Sequence, residues 1–104
     1  MAIDAIYPSL KDKTVLITGG GSGIGEALTR AFIEQSAKVG FLDYDKAASE
    51  MLVAELHSPD LHFEYCDLRD IDALQVAVKA VSAKIGPIRI LVNNAARDDC
   101  LLYT

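Results

Sequence analysis

Short apolar runs alternate along most of the chain with longer segments that mix apolar and charged residues. The runs are rich in Val, Ile, Leu and Phe, and Gly, Pro, Asp or Asn stands at or near the end of each. Apolar runs bounded in this way are typical of buried strands. The sequence predicts strands at residues 14–18, 38–43, 61–66 and 88–92.

The segments between the runs have the periodicity of amphipathic helices, with apolar residues three and four positions apart. The predicted inward stripes are Ile24, Ala27, Leu28, Ala31 and Phe32, then Ala48, Met51, Leu52 and Leu56, then Ile71, Leu74, Val78, Val81 and Ile85. Asp45 and Asp70 are placed to cap the second and third helices, because their side chains can accept from the first free N–H groups. Pro59 and the pair Gly86-Pro87 end those helices.

Strands that alternate with helices pair in parallel through right-handed crossovers. The fold class predicted is therefore α/β, a doubly wound parallel sheet of about four strands in the order 3-2-1-4, with helices on both faces. At 104 residues the chain forms one domain at most. We divide it into a lead-in arm (1–12), a core (13–97) and an atypical tail (98–104). A ligand crevice is expected between strands one and four, where the strand order reverses.

The segment Thr18-Gly19-Gly20-Gly21-Ser22-Gly23-Ile24-Gly25 joins the first strand to the first helix. Glycines allow a tight turn, and the N–H groups at a helix N-terminus can hold a phosphate. The segment lacks the Gly-Lys-Ser/Thr ending of nucleoside triphosphatases. It predicts a dinucleotide site, with a purely structural turn as the alternative. The expected contacts are Gly19, Gly21, Ser22, Gly23, Ile24 and Gly25.

Polar residues also stand at the ends of the second and third predicted strands, at the same edge of the sheet. Asp43 and Tyr44 are expected to contact the cofactor. The carboxylate of Asp43 can accept both hydroxyl hydrogens of an adenosine ribose, and its charge favours NAD over NADP. Lys46 is the only cation nearby, and an ordinary turn residue is the alternative for Asp43. Asp67 can accept from the adenine amine, with Leu68 packing on the ring, or it can begin the next turn.

The segment Asn93-Asn94-Ala95-Ala96 follows the fourth strand. Asparagine amides can bridge strand ends, and the small residues leave room for a nicotinamide ribose. We expect Asn94 and Ala95 to contact the cofactor. A turn of small polar residues is the alternative.

Composition narrows the class of protein further. The net charge is −5 and no basic stripe is present, so nucleic acid is not expected as a partner. No apolar run approaches the roughly 20 residues needed to span a bilayer, and the first residues do not resemble a secretory signal. Cys66 and Cys100 are expected to be reduced thiols of a cytoplasmic protein. We predict no metal site, since His57 and His62 lack the spacing of ligands.

These motifs together resemble the short-chain dehydrogenase/reductase superfamily, specifically its N-terminal cofactor-binding half. The resemblance rests on Thr18 to Gly25, on Asp67 and on Asn93 to Ala96, where Ala96 replaces the usual glycine. It implies a Rossmann-like fold, NAD as the cofactor and hydride transfer to or from an alcohol, sugar or ketone. Ala96-Arg97-Asp98-Asp99 also resembles a loop of members that act on sugars.

In the family, the catalytic serine and Tyr-x-x-x-Lys follow strands five and six. The resemblance therefore assigns no residue of this chain a catalytic role. The spacing Tyr7-x-x-x-Lys11 is interpreted as coincidence, because it precedes the first strand. The residues from Cys100 onward do not resemble the family's next helix, so a truncation or frameshift of a longer enzyme is our hypothesis. The alternative is a non-catalytic dinucleotide-binding or interaction module, and we expect a homo-oligomer through the exposed sheet edge or the apolar tail.

Overall fold

The computed structural model describes residues 8–94 and shows a parallel four-stranded sheet flanked by three α-helices. A short 3₁₀ turn at Pro8–Leu10 precedes the first strand. The strands are β1 (Thr14–Thr18), β2 (Lys38–Asp43), β3 (Leu61–Tyr65) and β4 (Ile90–Asn93). The helices are α1 (Gly23–Glu34), α2 (Lys46–Leu56) and α3 (Ile71–Ile85). The strand order is β3-β2-β1-β4, which confirms the predicted topology.

Each face of the sheet has its own apolar core. On one face, Val15, Ile17, Val39 and Phe41 pack against side chains of α1 and α2. On the other, Leu16 and Leu42 pack against α3. Neighbouring residues along a strand point to opposite faces, so continuous apolar strands supply both cores.

Two carboxylates fix the starts of the second and third helices, as predicted. The Asp45 side chain accepts from the Ala48 N–H, and the Asp70 side chain accepts from the Ala73 N–H, each at 3.0 Å. Because both helices begin at the carboxyl edge of the sheet, these caps hold the loops that follow β2 and β3 at that edge.

The structure corrects the ends of two predicted strands. β3 ends at Tyr65, one residue before the predicted end, and β4 covers Ile90–Asn93 in place of 88–92. The Arg89 N–H donates to the Thr14 carbonyl oxygen at 2.9 Å, and the pairing of this segment with β1 therefore begins after Ile88.

Three residues assigned to inward helix stripes are exposed. Ile24, Met51 and Ile71 keep 74%, 73% and 51% of their surface in solvent. Ile24 and Ile71 lie in the first turns of their helices, at the sheet edge where the core ends. Met51 lies on the outer side of α2, whose buried residues are Ser49 and Leu52. Within residues 8–94, none of the helices has the length and apolar character that a membrane span requires.

Candidate functional site

The glycine-rich turn brings the start of α1 into close contact with the end of β1. A Cβ at Gly25 would overlap the Gly19 carbonyl oxygen and would stand 2.8 Å from the Asn94 side-chain nitrogen. Thr29 Oγ1 ties the turn to α1 by donating to the carbonyl oxygens of Gly20 and Gly25, at 3.0 and 2.9 Å. Glycine at position 25 is therefore a requirement of packing.

The outer side of the same turn is open to solvent. Gly23 has φ +59°, and no atom of residues 8–94 lies within 4 Å of the position that a Cβ would take there. Ser22 occupies the N-cap position of α1 but makes no capping hydrogen bond. The first N–H groups of a helix have no partner within it, and they carry its partial positive charge. The turn thus presents uncapped donors with room for an anion above them.

Asp43 ends β2 beside this turn and is only 6% exposed. Its Oδ2 accepts from the Gly21 N–H at 3.0 Å, and its Oδ1 accepts from the Asp45 N–H at 2.9 Å. A carboxylate can accept about four hydrogen bonds, so two backbone donors orient Asp43 and leave it acceptor capacity. Tyr44, the next residue, is 57% exposed at the rim.

Asp67 and Leu68 follow β3 at the same edge of the sheet. Arg69 binds Asp67 through its backbone N–H and through both Nε and Nη2, at 2.9 to 3.1 Å. Leu68 is 3% exposed and belongs to the core under α3. Little of that side chain is exposed at the edge of the sheet, and its packing on an adenine ring stays a prediction.

Two asparagines at the end of β4 bridge the neighbouring strands, as the sequence predicted. Thr18 Oγ1 donates to Asn93 Oδ1 and accepts from the Asn94 N–H, both at 3.0 Å. Asn94 Nδ2 donates to the Gly19 carbonyl at 3.1 Å. These bonds join the end of β4 to the glycine-rich turn across the strand-order reversal. Ala95, also a predicted contact, lies outside the described residues.

Sequence reasoning missed two buried polar residues that shape the site. Thr29 is fully buried, and its position within an apolar stripe was the sequence feature that could have indicated its burial. Ser49 of α2 is also fully buried, and its hydroxyl has no hydrogen-bond partner among the residues that the structure describes. A Cβ at Gly21 would overlap this hydroxyl and approach Asp43 Oδ2 at 3.0 Å. Ser49 therefore forms the floor beneath Gly21, and no sequence pattern indicated that contact.

Comparison with known proteins gives a consistent result. Residues 13–101 match the family described as short chain dehydrogenase. The chain is 50% identical over 97 residues to D-xylose 1-dehydrogenase of Caulobacter vibrioides, covering 91% of this chain and 38% of that protein. It is 48% identical over 96 residues to a protein named probable galactose dehydrogenase of Rhizobium meliloti, covering 89% of this chain and 38% of that protein.

Two solved structures have the same fold. A 3-ketoacyl-(acyl-carrier-protein) reductase from Brucella melitensis, complexed with NADH, superposes with a TM-score of 0.74 at 35% identity, over 79% of this chain and 34% of that one. An F189W variant of an actinorhodin polyketide ketoreductase, solved with NADPH, superposes with a TM-score of 0.77 at 26% identity, over 89% and 36%. The chain thus spans about two fifths or less of each of these proteins.

Proposed function

The chain belongs to the short-chain dehydrogenase family, and from that premise we propose that it binds NAD at the carboxyl edge of its sheet, between β1 and β4. Family membership makes a nicotinamide dinucleotide the class of ligand. The choice of NAD over NADP is our own inference, and the buried carboxylate of Asp43 is the observation that carries it.

The site fits a dinucleotide in two respects. The uncapped start of α1 and the open surface over Gly23 suit the diphosphate. Asp43 suits the two hydroxyls of the adenosine ribose, because its two backbone donors already fix its orientation. A phosphate on the ribose 2′ oxygen would meet that negative charge. Lys46 offers little compensation, since it is 70% exposed and its Nζ lies 3.9 Å from Glu50.

For the longer protein that its relatives represent, we propose hydride transfer between NAD and an alcohol, with a sugar as the favoured substrate class. The relatives named as xylose and galactose dehydrogenases support this substrate class. When bound, NAD supplies the hydride acceptor, and the residues described here hold and orient it. Asn94, which bridges Gly19 and Thr18, sets the position of the turn at that end of the site.

Residues 1–104 taken alone support binding without turnover. Their only Tyr-x-x-x-Lys spacing is Tyr7 to Lys11, which precedes Thr14, the first residue of β1. Lys11 precedes the amino end of β1, which is the opposite end of that strand from the proposed site. Assaying the 104-residue chain with NAD and a panel of alcohols and sugars distinguishes a binding module from an active enzyme. Reduction of NAD in this assay would reject the hypothesis that the chain binds the cofactor without turnover.

Titration of the purified chain with NADH and NADPH, followed by nucleotide fluorescence, tests the proposal. We expect saturable binding of NADH and weaker binding of NADPH. Asp43→Asn should weaken NADH binding about tenfold or more, since hydrogen bonds to a charged group contribute about 1.5–3 kcal/mol.

Asp45→Asn is the matched control for that variant. It removes a carboxylate two residues away and keeps a good N-cap residue, so NADH affinity should hardly change. Equal losses in the two variants would point to general charge loss. An absence of saturable NADH binding by the folded chain would refute the proposed function.

A further inference from the structure

Ser49 is a polar residue of α2 that lies beneath the glycine-rich turn. It is 0% exposed, and within residues 8–94 its hydroxyl is the one buried side-chain oxygen or nitrogen without a hydrogen-bond partner. Its backbone N–H is already bonded, to the Asp45 carbonyl at 3.1 Å. A buried hydroxyl without a partner destabilises a folded chain, and alanine at the same position would avoid that cost. The folding of α2 therefore does not account for a serine here.

The hydroxyl of Ser49 points at the contact between Gly21 and Asp43. A Cβ at Gly21 would overlap Ser49 Oγ, and it would stand 3.2 Å from Ser49 Cβ and 3.0 Å from Asp43 Oδ2. The Gly21 N–H donates to that same Oδ2 atom at 3.0 Å. One turn earlier in the chain, the Asp45 N–H donates to the other oxygen, Oδ1, at 2.9 Å. The unpartnered hydroxyl thus lies beside the carboxylate that the proposed NAD site depends on.

The acceptor capacity of Asp43 limits what this site can bind. A carboxylate accepts about four hydrogen bonds. Two come from the N–H groups of Gly21 and Asp45, so two ribose hydroxyls would use the remaining capacity. In that arrangement the Gly21 N–H stays at Asp43 and cannot donate to the ligand. A hydrogen bond donated by the Ser49 hydroxyl to Oδ2 would keep the total unchanged and release the Gly21 N–H.

We propose, as a step that rests on the proposed NAD site, that Ser49 is a positioning residue for Asp43. When the dinucleotide binds, the Ser49 hydroxyl replaces the Gly21 N–H as donor to Asp43 Oδ2, and the Gly21 N–H donates to an oxygen of the ligand. Glycine at position 21 permits this exchange, because any side chain there would displace Ser49 Oγ. The hydroxyl therefore costs stability in the unliganded chain and contributes to affinity in the complex.

Ser49→Ala tests this role, because it should change stability and affinity in opposite directions. The variant removes an unpartnered buried hydroxyl and places a better helix former in α2, so the urea midpoint should rise by about 0.5 M. NADH affinity, measured by nucleotide fluorescence, should fall about three- to tenfold, the loss expected for one hydrogen bond. A residue that only supported the fold would lower the midpoint and the affinity together.

Two matched variants separate these effects from the loss of any hydroxyl. Thr29→Val removes a buried hydroxyl that has partners, the carbonyls of Gly20 and Gly25, so its urea midpoint should fall. Ser82→Ala changes the last turn of α3, whose final carbonyl accepts from Thr14 at the opposite end of the sheet. NADH affinity should hardly change in that variant.

A double-mutant cycle with Asp43→Ala tests whether Ser49 acts through Asp43. Asp43→Ala removes both carboxylate oxygens, so the Gly21 N–H is released whether or not Ser49 is present. In that background Ser49→Ala should weaken NADH binding by about twofold or less. An undiminished effect there would show that Ser49 does not act through Asp43, and would overturn the proposal.

Two further results would contradict the proposal. A lower urea midpoint for Ser49→Ala, or failure of that variant to fold, would show that the hydroxyl has a stabilising partner in the unliganded chain. Unchanged NADH affinity in Ser49→Ala, with saturable binding by the wild type, would overturn the role of Ser49 and leave the proposed function standing. No saturable NADH binding by the folded wild-type chain would refute both.

Discussion

Replacing Gly25 with alanine tests how the glycine-rich turn positions α1. A Cβ at this residue would overlap the Gly19 carbonyl oxygen, and it would lie 2.8 Å from the Asn94 Nδ2 atom that donates to that same oxygen. The neighbours are mainly backbone atoms and cannot rotate aside. The new methyl group must therefore push the start of α1 away from β1 and break the Asn94 hydrogen bond.

The size of the effect follows from three contributions. Overpacking in a tight region costs about 1–3 kcal/mol. The lost hydrogen bond costs about 1 kcal/mol. The higher helix propensity of alanine returns about 1 kcal/mol. We expect Gly25→Ala to lower the free energy of unfolding by about 1–3 kcal/mol, a large share of the roughly 5–15 kcal/mol typical of a native protein.

Urea denaturation followed by far-UV circular dichroism measures this change. With an m-value of about 1–3 kcal/mol/M, the midpoint should fall by about 1 M. Ser22→Ala is the matched control in the same turn, because Ser22 is exposed and makes no capping hydrogen bond. A midpoint for Gly25→Ala at or above that of the wild type would refute the close contact between Gly25 and the Gly19 carbonyl. So would an equal loss in Ser22→Ala.

Three further predictions concern other parts of the chain. Asp70→Ala removes the cap on Ala73 N–H and should cost about 0.5–2 kcal/mol in urea denaturation; an unchanged midpoint would argue against the cap. Burial raises the pKa of the Cys66 thiol above its usual 9.0, so the free energy of unfolding should decline as the pH rises past that value. In the Cys100→Ser variant, Cys66 of the folded protein should react with a disulfide reagent far more slowly than Cys66 of the protein unfolded in urea. Equal rates would contradict this. Because β4 is an uncharged strand at the edge of the sheet formed by residues 8–94, we predict self-association in sedimentation at high concentration, and a clean monomer would remove that prediction.

Most of the fold could be predicted because local patterns and long-range topology agree. Continuous apolar runs marked the strands, and right-handed crossovers left few possible orders for them. The helix caps Asp45 and Asp70 were also predictable, because a cap depends on residues only three positions apart. By contrast, the start of β4 depends on the pairing of the Arg89 N–H with Thr14 O. These residues are far apart in sequence, and the local pattern around residue 89 does not indicate which residue of β1 pairs with it.

The motifs of the candidate site could be predicted from the sequence, whereas the burial and contacts of individual side chains could be predicted less well. Periodicity placed Ile24 and Ile71 inward, because a helical stripe does not show where the core ends along the helix axis. Leu68 was predicted to pack on an adenine ring from its position after the third strand, and that position alone did not indicate that its side chain also belongs to the core under α3. The contact of Ser49 with Gly21 joins two elements far apart in sequence, and only the folded chain brings them together.

NMR of the isotopically labelled chain during an NADH titration tests the central claim most directly. If the turn before α1 and Asp43 hold the dinucleotide, the amide signals of residues 19–25 and of Asp43 should shift in a saturable way. Signals from the opposite end of the sheet, such as Lys13 and Lys38, should stay in place. Saturable shifts confined to that opposite end, or no shifts at all in the folded chain, would contradict the account.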